Sequence, residues 1–194
     1  MQRTQLRIVA GSLRGRKLAV VVHPGLRPTP QMVREALFSI LGNAVPGRPF
    51  FDIFAGTGIN GLEALSRGAS AATFVERDRR LADDIDSHLR AFGVADQGQL
   101  VRSDVYRWAE RWRPPTEPVN VFLSPPFADL QDRAEDFLSM VLRMQNSLAY
   151  GSVLILQVEV GFDPTALPDA NRWEQRDYGR NILLFWEPPE EPRA

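Results

Sequence analysis

Residues 50–61, FFDIFAGTGING, set a carboxylate, a threonine and three glycines in the order of a nucleotide cradle. Phe50, Phe51, Ile53 and Phe54 are apolar enough for a buried strand, and Asp52 sits among them. A carboxylate in such a strand is costly unless something pairs with it. Gly56, Gly58 and Gly61 follow, then Leu62, Leu65 and Ala69 at helical spacing. Glycines let backbone approach a ligand, and the start of the next helix offers free N–H groups. The GxGxxG spacing alone fits several classes of nucleotide enzyme, and also an ordinary strand–helix turn. Glu76 lies 20 residues after Gly56, at the end of a second apolar run, AATFVE (71–76). A carboxylate there can accept both hydroxyl hydrogens of a ribose, which marks an adenosine-containing cofactor. The competing reading of Glu76 is a surface acid at a strand end.

A second constellation is LSPPF (123–127), closing the apolar run VNVFL (119–123). Two prolines fix the backbone at a strand end, where ligands bind in an open parallel sheet. Phe127 can stack there on a planar base; the plainer alternative is a proline-rich stop with a core phenylalanine. Asp104 follows a third short strand, QLVR (99–102). It is placed either to meet an adenine amino group or to cap a helix over 105–111.

Charge points to a third feature. Residues 1–34 carry Arg3, Arg7, Arg14, Arg16, Lys17, Arg27 and Arg34 and no acid, whereas the remainder has 16 basic against 24 acidic residues. Such asymmetry suggests an anionic partner at the N-terminal end, a solvated basic face being the alternative. Strands over 5–10 and 16–22 flank the turn residues GSLRG and predict a hairpin. Its loop presents Arg14, Arg16 and Lys17 together, which suits phosphate oxygens.

The elements that must position these groups follow from periodicity. Thr29 is a good N-cap and Pro30 a good first residue for a helix ending at Gly42. Met32, Val33, Ala36, Leu37, Ile40 and Leu41 form its apolar stripe, leaving Arg34 and Glu35 for solvent or for a ligand cleft. Helices are also predicted over 78–92 and, as one long element, 130–148, the latter burying Phe137, Leu138, Val141, Leu142 and Leu148. An apolar strand SVLILQVEV follows. Strands over 173–178 and 181–186, joined by Gly179-Arg180, make a closing antiparallel hairpin. Strand–helix alternation through five strands predicts an α/β fold: a doubly wound, mostly parallel sheet with one antiparallel strand near an edge. Residues 1–25 read as a basic hairpin extension, 26–187 as the main domain, and 188–194 as a polar, proline-rich disordered tail.

Composition narrows the alternatives. The chain has 194 residues, 44% hydrophobic and 24% charged, with a net charge of -1, as expected of one globular domain. There is no cysteine and there are only two histidines, His23 and His88. Thiolate chemistry is excluded, and a zinc site or Ser-His-Asp triad has little to draw on; no metal is expected. No apolar run approaches the ~20 residues that span a bilayer, and no apolar core follows Arg3 and Arg7 as in a secretory leader. A cytoplasmic monomer is the expectation. A nicotinamide-dependent oxidoreductase accounts for the glycines and Glu76, but not for Asp52, LSPPF or the basic N-terminal end.

Taken together, the motifs RIVAGSLRGRKL (7–18), LRPTPQMVREALFSIL (26–41), DIFAGTGINGLEALSRGA (52–69), FVERD (74–78), LSPPF (123–127) and YGRNILLFW (178–186) resemble one family. It is the RsmD-type guanine-N2 methyltransferases of bacterial small-subunit ribosomal RNA, within the S-adenosylmethionine-dependent Rossmann-like methyltransferases. The resemblance covers about residues 5–186. It implies a seven-stranded sheet, S-adenosylmethionine as cofactor, and 16S ribosomal RNA or its assembling particle as partner. It also implies that Asp52, Ala55, Gly56, Thr57 and Gly58 line the methionine and ribose part of the cofactor. Glu76 would hold the ribose hydroxyls and Asp104 would sit by the adenine. Arg7, Arg14, Arg16, Lys17 and Arg27 would meet RNA, Thr29 and Arg34 would border the cleft, and Ser124, Pro125, Pro126 and Phe127 would hold the target guanine.

One departure bears on the chemistry. The family has Asp or Asn before the two prolines, and this chain has Ser124. The exocyclic amine of guanine is a poor nucleophile because its lone pair is delocalised into the ring. A side-chain oxygen and the first proline's carbonyl accept its hydrogens and aim the lone pair at the methyl donor. Serine offers an oxygen with shorter reach and no formal charge. Three outcomes stay open: a slower enzyme, a binding protein without catalysis, or a different acceptor.

Overall fold

The computed structural model describes residues 2–22 and 26–190. His23 and the last four residues of the expected tail lie outside the described residues. The fold is mixed α/β: a seven-stranded, mostly parallel sheet and a separate antiparallel hairpin. The chain divides into two compact units, residues 1–105 and 106–194.

The first unit opens with the hairpin, β1 (Gln2–Arg7) and β2 (Lys17–Val22), paired so that Leu6 faces Leu18. The first strand ends at Arg7, three residues before the predicted end. The cause is a competing acceptor: the N–H groups of Val9 and Ala10 donate to the Glu63 carboxylate. Helix α1 (Gln31–Leu41) follows, then β3 (Phe50–Ile53), α2 (Ile59–Ser66), β4 (Ala72–Glu76), α3 (Arg79–Ala91) and β5 (Gly98–Arg102). The three strands are parallel in the order β5-β4-β3, with Asp52 level with Phe74 and Glu76 level with Arg102. Every residue of β3 is buried, as expected of a parallel strand covered on both faces.

Helix α1 sits about one position round from its predicted stripe. Val33, Arg34, Leu37, Phe38 and Leu41 are buried, whereas Met32 and Ile40 are exposed. Arg34 explains the rotation, since its guanidinium donates to the carbonyl oxygens of Thr29 (2.7 Å) and Arg7 (2.8 Å). Thr29 is not the cap it was expected to be. Pro30 holds that position without a side-chain bond, and the Thr29 hydroxyl accepts a hydrogen bond from Asn60.

The second unit contains α4 (Val105–Arg111, from its second residue), β6 (Asn120–Leu123), α5 (Phe127–Asp132), α6 (Ala134–Ser147), β7 (Val153–Glu159), β8 (Glu174–Tyr178) and β9 (Asn181–Trp186). Strands β6 and β7 are parallel, and β9 runs antiparallel to both β7 and β8. The helix expected over 130–148 is two helices, because Arg133 leaves the helical region (φ -130°, ψ 33°). Its buried side also differs: Met140 and Met144 face inward, and Leu142 is exposed.

Candidate functional site

The turn takes left-handed backbone at three residues, of which only two are glycine. Phe54 leaves β3 in the left-handed region (φ 63°), and Gly56 and Gly58 follow with φ of 54° and 71°. Only glycine adopts that region at little cost. The Ala55 N–H donates to Val75 O at 3.1 Å, and Gly58 N–H to Ala55 O at 2.8 Å, closing the turn onto β4. Gly61 has a different reason: a Cβ there would lie 2.2 Å from the Phe74 ring. It permits α2 to lie close on β4, the packing role of the third glycine in such a motif.

Two buried carboxylates flank this turn. Asp52 is 1% exposed. Its Oδ2 accepts the Gly61 N–H at 2.9 Å, while its Oδ1 is enclosed without a hydrogen-bond partner. Burial raises its pKa to about 7; the Gly61 N–H opposes the shift and the nearby Glu76 charge adds to it. Glu76 accepts the Gly56 N–H at 2.7 Å through Oε2 and the Asp78 N–H at 2.8 Å through Oε1. Its pKa is also raised, chiefly by burial. Asn60 donates to Thr29 and keeps a buried Oδ1 without a partner. Buried polar atoms are nearly always paired, so two orphan oxygens beside one turn need an explanation.

The sequence-predicted residues thus come together in part. Asp52, Ala55, Gly56, Thr57, Gly58 and Glu76 form one compact corner, with Thr57 4% exposed. Asp104 is half-buried, with a carboxylate oxygen 4.0 Å from the Arg77 guanidinium. Glu76 is already engaged by the backbone N–H groups of Gly56, Asp78 and Arg77, but a carboxylate has about four lone-pair sites, which leaves room for a further donor.

The hairpin turn is clamped to α2 of the same unit. Glu63, fully buried, accepts the Val9 N–H (2.9 Å), the Ala10 N–H (3.0 Å) and the Arg67 Nε–H (2.9 Å). Ser66 accepts the Leu13 N–H at 2.9 Å and donates to Ala10 O. Ile8, Leu13, Leu18 and Val20 share an apolar cluster with Ile59, Leu62 and Phe74. The loop therefore holds Arg14, Arg16 and Lys17 exposed on a rigid base, with Arg7 and Arg27 also exposed. The Arg16 guanidinium lies 5.7 Å from the Phe92 ring centroid. Sequence reasoning missed Glu63 and Ser66; the available hint was Arg67 four residues after Glu63, the spacing of a helical ion pair.

In the second unit, β6 delivers Ser124, half-buried, and Pro125, buried. Pro126 is the N-cap of α5, and Phe127, the first residue of the helix, is 59% exposed. An exposed ring on a proline-fixed backbone is a platform for a planar ligand. Among the described residues no group of acids and histidines could hold a metal ion, and no helix is long and apolar enough to cross a membrane.

This architecture is the Rossmann-like fold of solved methyltransferases. An RNA methyltransferase from Salinibacter ruber, solved with S-adenosyl-L-homocysteine, shares it at a TM-score of 0.59 and 20% identity, covering 85% of this chain and 95% of that one. A hypothetical protein of Thermus thermophilus matches at a TM-score of 0.74 and 30% identity, over 94% and 99% of the two chains. The chain belongs to the family described as conserved hypothetical protein 95, whose profile matches residues 6–187. The resemblance drawn from the motifs is to this family. Ribosomal RNA small subunit methyltransferase D of Escherichia coli K12 is 41% identical over 123 residues. That match takes in 63% of this chain and 61% of the length of the E. coli protein.

Proposed function

We propose that this chain transfers a methyl group from S-adenosylmethionine to the exocyclic N2 of a guanine in small-subunit ribosomal RNA. The observation that carries the cofactor assignment is Asp52, a buried carboxylate with one unpartnered oxygen at the glycine turn. A cationic or hydroxyl-bearing ligand at that corner satisfies Oδ1, and Asn60 Oδ1 is a second acceptor. The fit is chemical: a carboxylate whose charge is disfavoured by burial gains most from a ligand carrying positive charge. In this reading Asp52, Ala55, Gly56, Thr57 and Gly58 hold the methionine and ribose part. Glu76 accepts from the ribose hydroxyls, and Asp104 lies toward the adenine. The bound cofactor supplies an electrophilic methyl group on a sulfonium.

The chain's own residues do the rest. Arg7, Arg14, Arg16, Lys17 and Arg27 contact phosphates. Phe127 stacks on the target guanine, taken out of its helix. The Ser124 hydroxyl and the Pro125 carbonyl accept the two N2 hydrogens and orient the nitrogen lone pair. The amine nitrogen would take the methyl group as its bond to sulfur breaks, the sulfur keeping the electron pair as a neutral thioether, and the nitrogen would then lose one proton to solvent. Small-subunit RNA, free or in its assembling particle, is the partner, the protein acts as a cytoplasmic monomer, and no metal takes part.

Ser124 supports a second reading, in which catalysis is impaired and binding is retained. Losing one such hydrogen bond costs ~10²–10³ in rate by analogy with oxyanion-hole donors. The test is methyl transfer from labelled S-adenosylmethionine to small-subunit RNA and its assembling particle, with Ser124→Asp alongside. We expect transfer by the native protein and a faster Ser124→Asp variant, with the methyl group mapped to N2 of guanine by mass spectrometry. Intact S-adenosylhomocysteine binding without transfer overturns the catalytic claim. A Ser124→Asp variant slower than the native protein means that the site is built around serine.

A further inference from the structure

The second unit is acidic, with nine basic against fourteen acidic residues over 106–194. Residues 107–113 depart from that balance, with Arg107, Arg111 and Arg113 against Glu110 alone. All three arginines are exposed. Between α4 and α6 lies a cleft of about 130 Å³, lined by Arg107, Arg133, Arg143 and Ser139 together with Glu110 and Asp136.

One of these cations is held firmly in place. The Arg133 guanidinium lies 3.8 Å from the Tyr106 ring centroid and bonds Asp136 at 3.0 Å through both Nε and Nη2. Tyr106 is itself fixed, its hydroxyl donating to Asp129 at 3.1 Å, with both residues buried. A stacked, carboxylate-tied guanidinium loses little further freedom on binding an anion. Three arginines and two acids line the cleft, a local excess of positive charge. On the neighbouring face of α4 the Trp108 and Trp112 rings stack at 5.1 Å and remain half-exposed. Arginines beside accessible indoles are the surface that binds a nucleic-acid backbone and its unpaired bases.

We infer that the α4–α6 cleft is a second RNA contact, in which Arg107 and Arg143 grip phosphate and Arg133 orients it. This rests on the RNA substrate proposed above. It is distinct from the N-terminal loop, which lies in the other unit, and no part of it belongs to the glycine corner or to LSPPF.

The experiment measures binding of the whole chain to transcribed small-subunit RNA across a salt series. Three forms are compared: native, Arg107→Ala/Arg143→Ala, and Arg107→Lys/Arg143→Lys. Each phosphate contact contributes ~0.7 to the salt slope on single strands and ~0.9 on duplex. The double alanine variant is therefore expected to lose between about one and two units of slope and to bind more weakly. The lysine variant keeps the slope, and S-adenosylhomocysteine affinity is unchanged in both. A double alanine variant with native slope and affinity overturns the inference. So does a defect seen only with assembled particles and not with naked RNA, which assigns the cleft to a protein partner. If the alanine pair does not fold, single Arg107→Gln and Arg143→Gln variants must each lose about half the effect, and native behaviour in both overturns the inference. Failure of the broader RNA reading looks different: the native protein itself then shows no salt-dependent RNA binding, and Arg14→Ala/Arg16→Ala changes nothing.

Discussion

Asp52 and Glu63 are both buried carboxylates of the first unit, nine in ten or more enclosed, yet they differ in what surrounds them. Glu63 has two backbone N–H donors and the Arg67 guanidinium. Asp52 has one N–H donor and an enclosed oxygen with none. Burying a carboxylate costs several kcal/mol unless charge and hydrogen bonds offset it. Glu63 is offset from within the chain, so it serves the fold: it pulls residues 9 and 10 out of the β1–β2 ladder and seats the basic loop. Asp52 is not, since one of its oxygens has no partner within the chain, which is what the proposed cofactor role calls for. Completeness of the partner set, rather than burial or charge, separates scaffold from site.

The largest effect is expected at Glu63. Glu63→Ala leaves two N–H donors and Arg67 without their acceptor and removes one of the two carboxylate charges, with Glu35, that oppose the lowering of the Arg34 pKa by burial. Breaking a buried pair in this way costs about 3–5 kcal/mol, read by urea denaturation. A loss below about 1 kcal/mol means the loop is held by apolar packing alone, and the contrast with Asp52 fails.

Asp52 should reveal itself through pH. Its folded pKa of about 7 lies above the ordinary 3.8, so the folded chain keeps a proton that the unfolded chain releases. The stability this contributes is complete below about pH 4. It falls by roughly 1.4 kcal/mol per pH unit as pH rises toward 7, and the loss is constant above that. Asp52→Asn should remove this slope and leave the protein more stable than native at pH 8 without ligand, while weakening S-adenosylhomocysteine binding. Parallel denaturation curves for the two proteins from pH 5 to 8 contradict the assignment.

Why one carboxylate was legible in sequence and the other was not follows from the same contrast. Asp52 stands out because it interrupts an apolar strand beside three glycines, and its neighbours alone raise the question of a partner. Glu63 lies on a helix, where an acid four residues before an arginine reads as a solvated pair. Its true partners, Val9 and Ala10, are more than fifty residues away. Arg34 was obscured in the same way, since an arginine off an apolar stripe reads as facing solvent or a cleft until the carbonyls of Thr29 and Arg7 are found to receive it. The alternation of strand and helix and the corner of Asp52, Gly56 and Glu76 were readable because they depend on local periodicity and spacing. The rotation of α1 and the clamp on α2 depend on tertiary hydrogen bonds that no local pattern encodes.

A smaller effect is expected at Gly61, the one residue whose N–H serves Asp52. Gly61→Ala places a methyl 2.2 Å from Phe74, and overpacking of this kind costs about 1–3 kcal/mol. If the helix yields by moving off β4, the Asp52 bond lengthens and the carboxyl pKa rises further. The pH window in which stability falls should then extend upward, which separates this variant from a merely strained one. An unchanged window means that α2 stays in place and Phe74 moves instead.

The smallest effect tests how Glu63's partners share their work. Arg67 is 21% exposed, so solvent screens part of its attraction to Glu63. Its guanidinium also lies 5.0 Å from the Phe38 ring centroid. Arg67→Ala removes both contacts but leaves the two backbone donors in place, and a loss of about 1 kcal/mol is expected. Arg67→Lys should recover part of that loss, because the charge returns without the planar fork. If instead Arg67→Ala matches Glu63→Ala, the carboxylate depends on a charge rather than on the hairpin backbone. Glu63 would then be no more complete in itself than Asp52, and the loop it seats would be secondary to the ion pair.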